Sequence, residues 1–215
     1  MTLNAIIFDL DGTLADTLDG IAASMNRVLE RLGLPTHPRE AYRRFIGDGV
    51  HKLVERALPD DQRRRVDEVV GLYLPELTER GGSMARLYDG VVDALDAAAD
   101  RSIPMSVLSN KPHDATVDVV RRLMGLDRFV EVRGQIDGQN VKPDPGVALA
   151  MAERIGVEPR SVACLGDSDV DMKLAANAGF IPLGAGWGIR GEAELRANGA
   201  TRVLDRPTDL IPLLD

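Results

Sequence analysis

Asp9-Leu10-Asp11-Gly12-Thr13 follows directly after the apolar stretch Leu3–Phe8, and these two segments decide the fold class. The apolar stretch is short and contains β-branched residues, which predicts a buried strand. On extended backbone, Asp9 and Asp11 point to the same side while Leu10 points into the core. Two like charges at the end of a buried strand cost free energy unless a cation or a substrate uses them. The alternative is a strand followed by an ordinary acidic turn.

Length and composition limit the possible functions. A chain of 215 residues holds one domain, or one domain with a smaller domain inserted. The 44% apolar and 28% charged residues are ordinary for a globular protein, and the net charge of −8 argues against a nucleic-acid partner. Because no apolar run reaches the length of a membrane span and no signal peptide is recognisable, we expect a cytoplasmic protein without a membrane partner. The single cysteine, Cys164, excludes an internal disulfide.

The first part of the chain predicts a helical segment inserted into an α/β core. Residues 16–83 contain no strand pattern, and their apolar residues recur at helical spacing. We therefore expect a helical cap at 16–83 and a catalytic core made of 1–15 and 84–215. The predicted cap helices are 17–32, 50–58 and 62–79, and Pro75 is expected to kink, shorten or split the last one.

The remainder of the chain alternates between strand and helix patterns. This alternation predicts an α/β fold with a doubly wound parallel sheet. Besides the first strand, the predicted strands are 103–108, 128–132, 161–165, 180–183 and 202–204. The predicted helices between them are 114–124, 145–155 and 170–178.

Three further polar motifs follow predicted strands, at the edge of an open α/β sheet where ligands bind. Ser109-Asn110-Lys111 offers a hydroxyl and an amide to phosphate oxygens, although such residues are also common in turns. Lys142, next to Pro143, can neutralise an anion, or it is a solvated loop lysine. Gly166–Asp171 holds three acids within five residues, which suits a hard cation, although one of them can also cap the following helix.

Together the four motifs resemble those of the haloacid dehalogenase superfamily of phosphohydrolases. They match as Asp9-x-Asp11-Gly12-Thr13, Ser109, Lys142 and Gly166-Asp167-x-x-x-Asp171. Haloacid dehalogenases proper lack the second acid of the first motif, so Asp11 points to phosphoryl transfer. Within the superfamily the chain most resembles phosphoglycolate phosphatases, through the stretches Phe45–Val50, Ser109–Pro112 and Gly186–Gly188.

The resemblance implies roles for these residues. Asp9 is the expected nucleophile, which forms an aspartyl-phosphate, and Asp11 is the expected acid that protonates the leaving group and then activates water. The expected cofactor is Mg²⁺, held by the Asp9 carboxylate, the Asp11 backbone carbonyl and Asp167. The expected phosphate-binding residues are Ser109 and Lys142, assisted by Asn110 and Gly12. Asp171 and Thr13 are expected to support them.

The predicted cap offers candidates for substrate specificity. Gly47-Asp48-Gly49 can form a tight loop close to a ligand, or an ordinary turn between helices. Arg43 and Arg44 precede this loop, and either guanidinium can grip a carboxylate through two hydrogen bonds. A solvated helix face is the competing interpretation for at least one of the two arginines.

The predicted function is therefore that of a Mg²⁺-dependent phosphatase. Its expected substrate is a small phosphorylated metabolite, a phosphate monoester for which 2-phosphoglycolate is the first candidate. A sugar-phosphate mutase or a pyrophosphatase of the same superfamily is an alternative, and a phosphorylatable signalling domain is a non-enzymatic one. The expected assembly is a monomer or a homodimer.

Overall fold

A central parallel sheet forms the core of the computed structural model, which describes residues 3–215. The strands in the described range are β1 Ala5–Phe8, β2 Ala15–Asp16, β3 Arg86–Leu87, β4 Met105–Pro112, β5 Glu131–Gln135, β6 Val162–Gly166, β7 Ile181–Ala185 and β8 Arg202–Leu204. Six of them form the sheet, in the order β5-β4-β1-β6-β7-β8, and all neighbouring pairs are parallel. The predicted doubly wound α/β sheet is thereby confirmed.

The side chains of β1 alternate between two apolar layers, as the period of an extended strand requires. Ile6 and Phe8 belong to one buried cluster, whereas Ala5 and Ile7 belong to another. Since helices cover both faces, the central strands are buried throughout. The α-helices described outside residues 16–83 are α5 Val91–Asp100, α6 His113–Leu123, α7 Gly146–Ile155, α8 Asp169–Ala178 and α9 Glu192–Ala197, and 3-10 helices span Pro159–Ser161 and Pro207–Leu213.

A separate apolar cluster holds the helices of residues 16–83 together. These helices are α1 Leu18–Arg31, α2 Arg39–Phe45, α3 Val50–Ala57 and α4 Val66–Glu79. Their buried faces share one cluster, which includes Met25, Val54 and Tyr73. The chain enters and leaves this region through the antiparallel pair β2–β3, where Asp16 is opposite Arg86. We call residues 16–83 the cap; their limits as a domain stay a prediction.

Several element boundaries differ from those predicted. Helix α4 begins at Val66, after a 3-10 helix, and it is neither ended nor split at Pro75, because Tyr73 and Leu77 on either side are both buried in the cap cluster. Strand β5 begins three residues later than predicted because the apolar Phe129 packs into the core before the strand starts. Helices α2, α5 and α9 were missed by the sequence analysis; two of them have only seven and six residues.

Each helix within residues 3–215 is too short or too polar to cross a membrane.

Candidate active site

The candidate site lies where three adjacent central strands end. Asp9 follows β1, Lys111 is near the end of β4, and Asp167 follows β6. Because β1 lies between β4 and β6 and all three are parallel, these side chains meet at the same edge of the sheet. Lys142 joins them from the loop between β5 and α7.

A buried lysine links two carboxylates at the centre of the site. The Nζ of Lys142 lies 2.6 Å from Oδ1 of Asp9 and 2.7 Å from Oδ1 of Asp171. The other oxygen of Asp171 accepts hydrogen bonds from the backbone N–H and the hydroxyl of Ser168, at 3.1 and 2.7 Å, which completes a capping box at the start of α8. Asp171 therefore fixes the lysine at the N-terminus of helix α8 and orients it towards Asp9.

At the centre of the site, acidic side chains outnumber basic ones. Oxygens of Asp9, Asp167 and Asp171, the acidic cluster, lie within 4.8 Å of one another, and all three residues are buried. Burial, together with the charges of Asp171 and Asp11, raises the pKa of Asp9 to about 7 against the opposing effect of Lys142. Burial, together with the charges of Asp9 and Asp171, also raises the pKa of Asp167 well above its usual value. One ammonium facing three carboxylates leaves a negative charge that a divalent cation can neutralise.

The composition of the acidic cluster fits Mg²⁺. Its potential ligands are all carboxylate oxygens, the donors that this hard cation prefers. Two glycines keep space beside Asp167: a Cβ atom on either Gly12 or Gly188 would overlap this side chain. The backbone N–H of Ile189 donates to Oδ2 of Asp167 at 2.6 Å and fixes the carboxylate. Asp167 is thus held rigidly next to Asp9, as a shared cation requires.

Asp11 is held by two residues to which the sequence analysis gave no role. Its Oδ1 accepts hydrogen bonds from the hydroxyl of Thr17 at 2.5 Å and from Nζ of Lys111 at 3.1 Å. The Lys111 side chain is buried, so this ion pair is shielded from water. In the sequence, Lys111 could be noticed only as part of a polar motif at the end of a strand. That position does not show which residue the lysine pairs with.

The predicted phosphate ligands of β4 are engaged with the protein in this structure. The amide nitrogen of Asn110 donates to the carbonyls of Gly47 and Lys142, each at 2.9 Å, and its oxygen accepts the Lys142 N–H at 2.8 Å. Asn110 therefore positions the lysine loop and joins it to the cap. The hydroxyl of Ser109 accepts the backbone N–H of Lys111 at 3.2 Å. The proposed phosphate contacts of both residues stay predictions.

A cavity of about 640 Å³, which includes its open mouth, lies between the site and the cap. Gly47 and Gly49 line it with φ values of +115° and +87°, a conformation that favours glycine. Asp48, between them, instead pairs with Arg56 at 2.5 Å. Thr13 lies outside this cavity, fully buried below the site.

The two predicted arginines do not line this cavity. Arg43 donates to the backbone carbonyl of Ile189, and Arg44 is exposed. The helix that carries them packs into the cap cluster through Tyr42, and the guanidinium of Arg43 is bound by the backbone of Ile189, a residue that lines the cavity. The cations that do line it, besides Lys142, are Lys111 and Arg190. The carboxylate clamp expected at Arg43 and Arg44 therefore has no geometric support.

Comparison with known proteins agrees with this geometry. Residues 6–184 match the family of haloacid dehalogenase-like hydrolases. The phosphoglycolate phosphatases of Escherichia coli (strain K12) and Aquifex aeolicus (strain VF5) are each 29% identical to this chain. Each alignment covers 99% of this chain; it covers 92% of the E. coli protein and 97% of the A. aeolicus protein.

Solved structures share the fold. A haloacid dehalogenase-like family hydrolase from Streptococcus pneumoniae superposes with a TM-score of 0.87 at 24% identity, over 99% of both chains. A mutant of CbbY from Rhodobacter sphaeroides in complex with xylulose-1,5-bisphosphate superposes with a TM-score of 0.83 at 22% identity, over 100% of both chains. With a family match that spans most of its length, the chain belongs to the haloacid dehalogenase-like hydrolases.

Proposed function

We propose that this hydrolase cleaves small phosphate monoesters, 2-phosphoglycolate first among them, with Mg²⁺ and through an aspartyl-phosphate. The observation that carries the proposal is the placement of Asp9 and Asp11 at one strand end, with Lys142 2.6 Å from Asp9 and an excess of buried carboxylates around it. The relatives named phosphoglycolate phosphatase, which align with 99% of the chain, support the choice of substrate.

Asp9 is the nucleophile of the proposed reaction. Its carboxylate oxygen attacks the phosphorus, a P–O bond to Asp9 forms, and the P–O bond to the leaving group breaks. The attack requires ionised Asp9, and the Lys142 ammonium favours that form. The carboxylates of Asp9 and Asp167 and the backbone carbonyl of Asp11 would hold Mg²⁺, which neutralises phosphoryl charge when bound.

Asp11 is the general acid of the first step and the general base of the second. In the first step it gives a proton to the departing alkoxide oxygen, and in the second it takes one from the water that cleaves the aspartyl-phosphate. Thr17 and Lys111 fix its carboxylate through Oδ1.

Phosphate release tests the proposal. Purified protein should release phosphate from 2-phosphoglycolate when Mg²⁺ is present and lose this activity in excess EDTA. Asp9→Asn should lose turnover at least about a thousandfold because its amide is a poor nucleophile. Asp169→Asn is the matched control: Asp169 lies two residues after Asp167 but pairs with Lys173 on the surface, so this variant should stay active.

The same assay separates the alternatives. Faster phosphate release from pyrophosphate would favour a pyrophosphatase, and isomerisation of a sugar phosphate without phosphate release would favour a mutase. Full activity of Asp9→Asn, or activity that persists in EDTA, would contradict the proposed chemistry.

A further inference from the structure

The cap contributes one polar side chain to an otherwise apolar cavity wall. Among the residues from 16–83 that the structure describes at this wall, Tyr73 is the one whose side chain carries a polar group. The other cap side chains at the wall belong to Ile21, Ile46, Val50, Leu53 and Leu77. A wall of this composition admits a small carbon skeleton and offers it a single hydrogen-bonding group.

The hydroxyl of Tyr73 lacks a hydrogen-bond partner among residues 3–215. The residue is 1% exposed, so bulk water does not replace the missing partner. Buried hydroxyls without a partner reduce stability, and in a binding site they are commonly completed by a ligand. Burial, with a further contribution from the Asp11 carboxylate, raises the pKa of Tyr73 well above its usual value, so the phenol is a neutral donor close to Asp11.

A lysine pairs with the same Asp11 carboxylate. Lys111 lines the cavity, and its Nζ is 3.1 Å from Oδ1 and 3.4 Å from Oδ2 of Asp11. In the proposed reaction Asp11 meets the ester oxygen of the leaving group. In an ester of the phosphoglycolate type, one carbon separates this oxygen from a carboxylate, so the carboxylate comes next to the groups that surround Asp11.

Arg190 is a weaker candidate for this role. Although it lines the cavity, its guanidinium donates to the backbone carbonyl of Ile46 at 3.0 Å and lies 3.8 Å from Glu194. Its charge is therefore already partly compensated by the protein.

We propose that the Tyr73 hydroxyl and the Lys111 ammonium bind the carboxylate of the leaving group and make the site selective for phosphate esters that carry a carboxylate one carbon from the ester oxygen. This inference rests on the proposed phosphatase function. It places substrate selection on a cap tyrosine and a core lysine, so a bound substrate bridges the two parts of the protein.

Tyr73→Phe tests the proposal with two matched esters. Ethyl phosphate has the same heavy-atom chain as 2-phosphoglycolate up to the second carbon, but a methyl group replaces the carboxylate. The ratio of kcat/KM for 2-phosphoglycolate to that for ethyl phosphate should fall about tenfold to a hundredfold in Tyr73→Phe, because a hydrogen bond to a charged group is lost. The Tm should not fall, because the variant removes a hydroxyl that has no partner among residues 3–215 of the free protein.

Tyr42→Phe is the control. Tyr42 is also a fully buried cap tyrosine, but its hydroxyl donates to Oδ1 of Asn26 at 2.6 Å, and it lies away from the cavity wall. This variant should lower the Tm and leave the ratio of the two kcat/KM values unchanged.

The possible outcomes separate the two proposals. If the ratio of the two kcat/KM values is the same in Tyr73→Phe as in the wild type, including the case of an equal loss on both esters, then Tyr73 does not bind the carboxylate and the proposal is overturned. A wild-type protein that cleaves ethyl phosphate at least as well as 2-phosphoglycolate would overturn it too, while the protein stays a phosphatase. No phosphate release from any ester would refute the proposed function, and the subsite with it.

Discussion

Replacing Lys142 by methionine should destabilise the protein strongly, and more so at higher pH. The lysine contacts Asp9 at 2.6 Å and Asp171 at 2.7 Å, and its side chain is only 5% exposed. Methionine preserves most of the side-chain volume but removes the cation. The buried carboxylates of Asp9, Asp167 and Asp171 then face one another without it.

The magnitude follows from the cost of a broken buried ion pair. Removing one partner of such a pair costs roughly 3–5 kcal/mol of folding free energy. For a domain of this size, each kcal/mol corresponds to about 2–4 °C in Tm, so the Tm should fall by roughly 10 °C. Both contacts are buried, so screening by solvent should reduce this cost little.

The pH dependence comes from the raised pKa of Asp9. Burial raises this pKa from 3.8 to about 7 even while Lys142 lowers it, so the folded protein binds this proton more tightly than the unfolded chain does. The corresponding stabilisation is present below pH 3.8 and is lost as the pH rises through 7. Without the lysine the pKa of Asp9 rises further. The stability difference between Lys142→Met and the wild type should therefore be larger at pH 8 than at pH 5.

Thermal denaturation in EDTA at these two pH values measures the effect, since a divalent cation cannot then replace the lost charge. Lys173→Met is the matched control, because Lys173 pairs with Asp169 on the surface, where its side chain is 51% exposed. This control should change the Tm little at either pH. Equal losses in the two variants, or a loss in Lys142→Met that does not depend on pH, would refute the electrostatic argument.

Two further predictions concern packing and thiol reactivity. Gly20→Ala should lower the free energy of unfolding by about 1–3 kcal/mol in urea titrations, because the added Cβ would overlap the carbonyl oxygen of Gly81. Gly71→Ala is the control: its Cβ has free space, so this variant should not be destabilised. Equal losses of stability in the two variants would contradict this account. Cys164 should not react with Ellman's reagent at pH 8 in the folded protein, because burial raises the pKa of its thiol. It should react once the protein is unfolded in guanidinium. Rapid reaction of the native protein would contradict this prediction.

Sequence patterns predicted the core of the site because the topology follows simple rules. Strands that alternate with helices form a parallel sheet, and residues after adjacent strands then share one edge. The strand ends predicted that Asp9 and Asp167 share an edge of the sheet, whereas their placement side by side needs the pairing of β1 with β6, which the strand pattern alone does not specify. Asp171 was expected to support the phosphate-binding residues, and the structure places it 2.7 Å from Lys142, a pairing that the motifs did not specify.

The partners of individual polar groups were less predictable. Strand β4 extends to Pro112, so Ser109 and Asn110 lie within the strand and bond to neighbouring backbone groups, whereas the sequence analysis ended this strand at residue 108 and expected both side chains to donate to phosphate. Lys111 reaches Asp11 from a position 100 residues later in the chain. Such a pairing depends on strand register and side-chain direction, which the apolar pattern does not specify.

The cap shows why charge alone is a poor guide to a binding residue. Because the expected substrate is anionic, the sequence analysis proposed Arg43 and Arg44 as its ligands. In the structure, Arg43 donates to a backbone carbonyl and Arg44 is exposed to solvent. The sequence analysis gave Tyr73 no role, and this residue is buried on the apolar face of α4. What distinguishes it from Tyr42 is the missing hydrogen-bond partner among the described residues, which becomes visible only when every neighbour is known. In a cap packed mainly through apolar side chains, an unpaired buried hydroxyl at the cavity wall therefore points to the substrate more directly than an exposed arginine does.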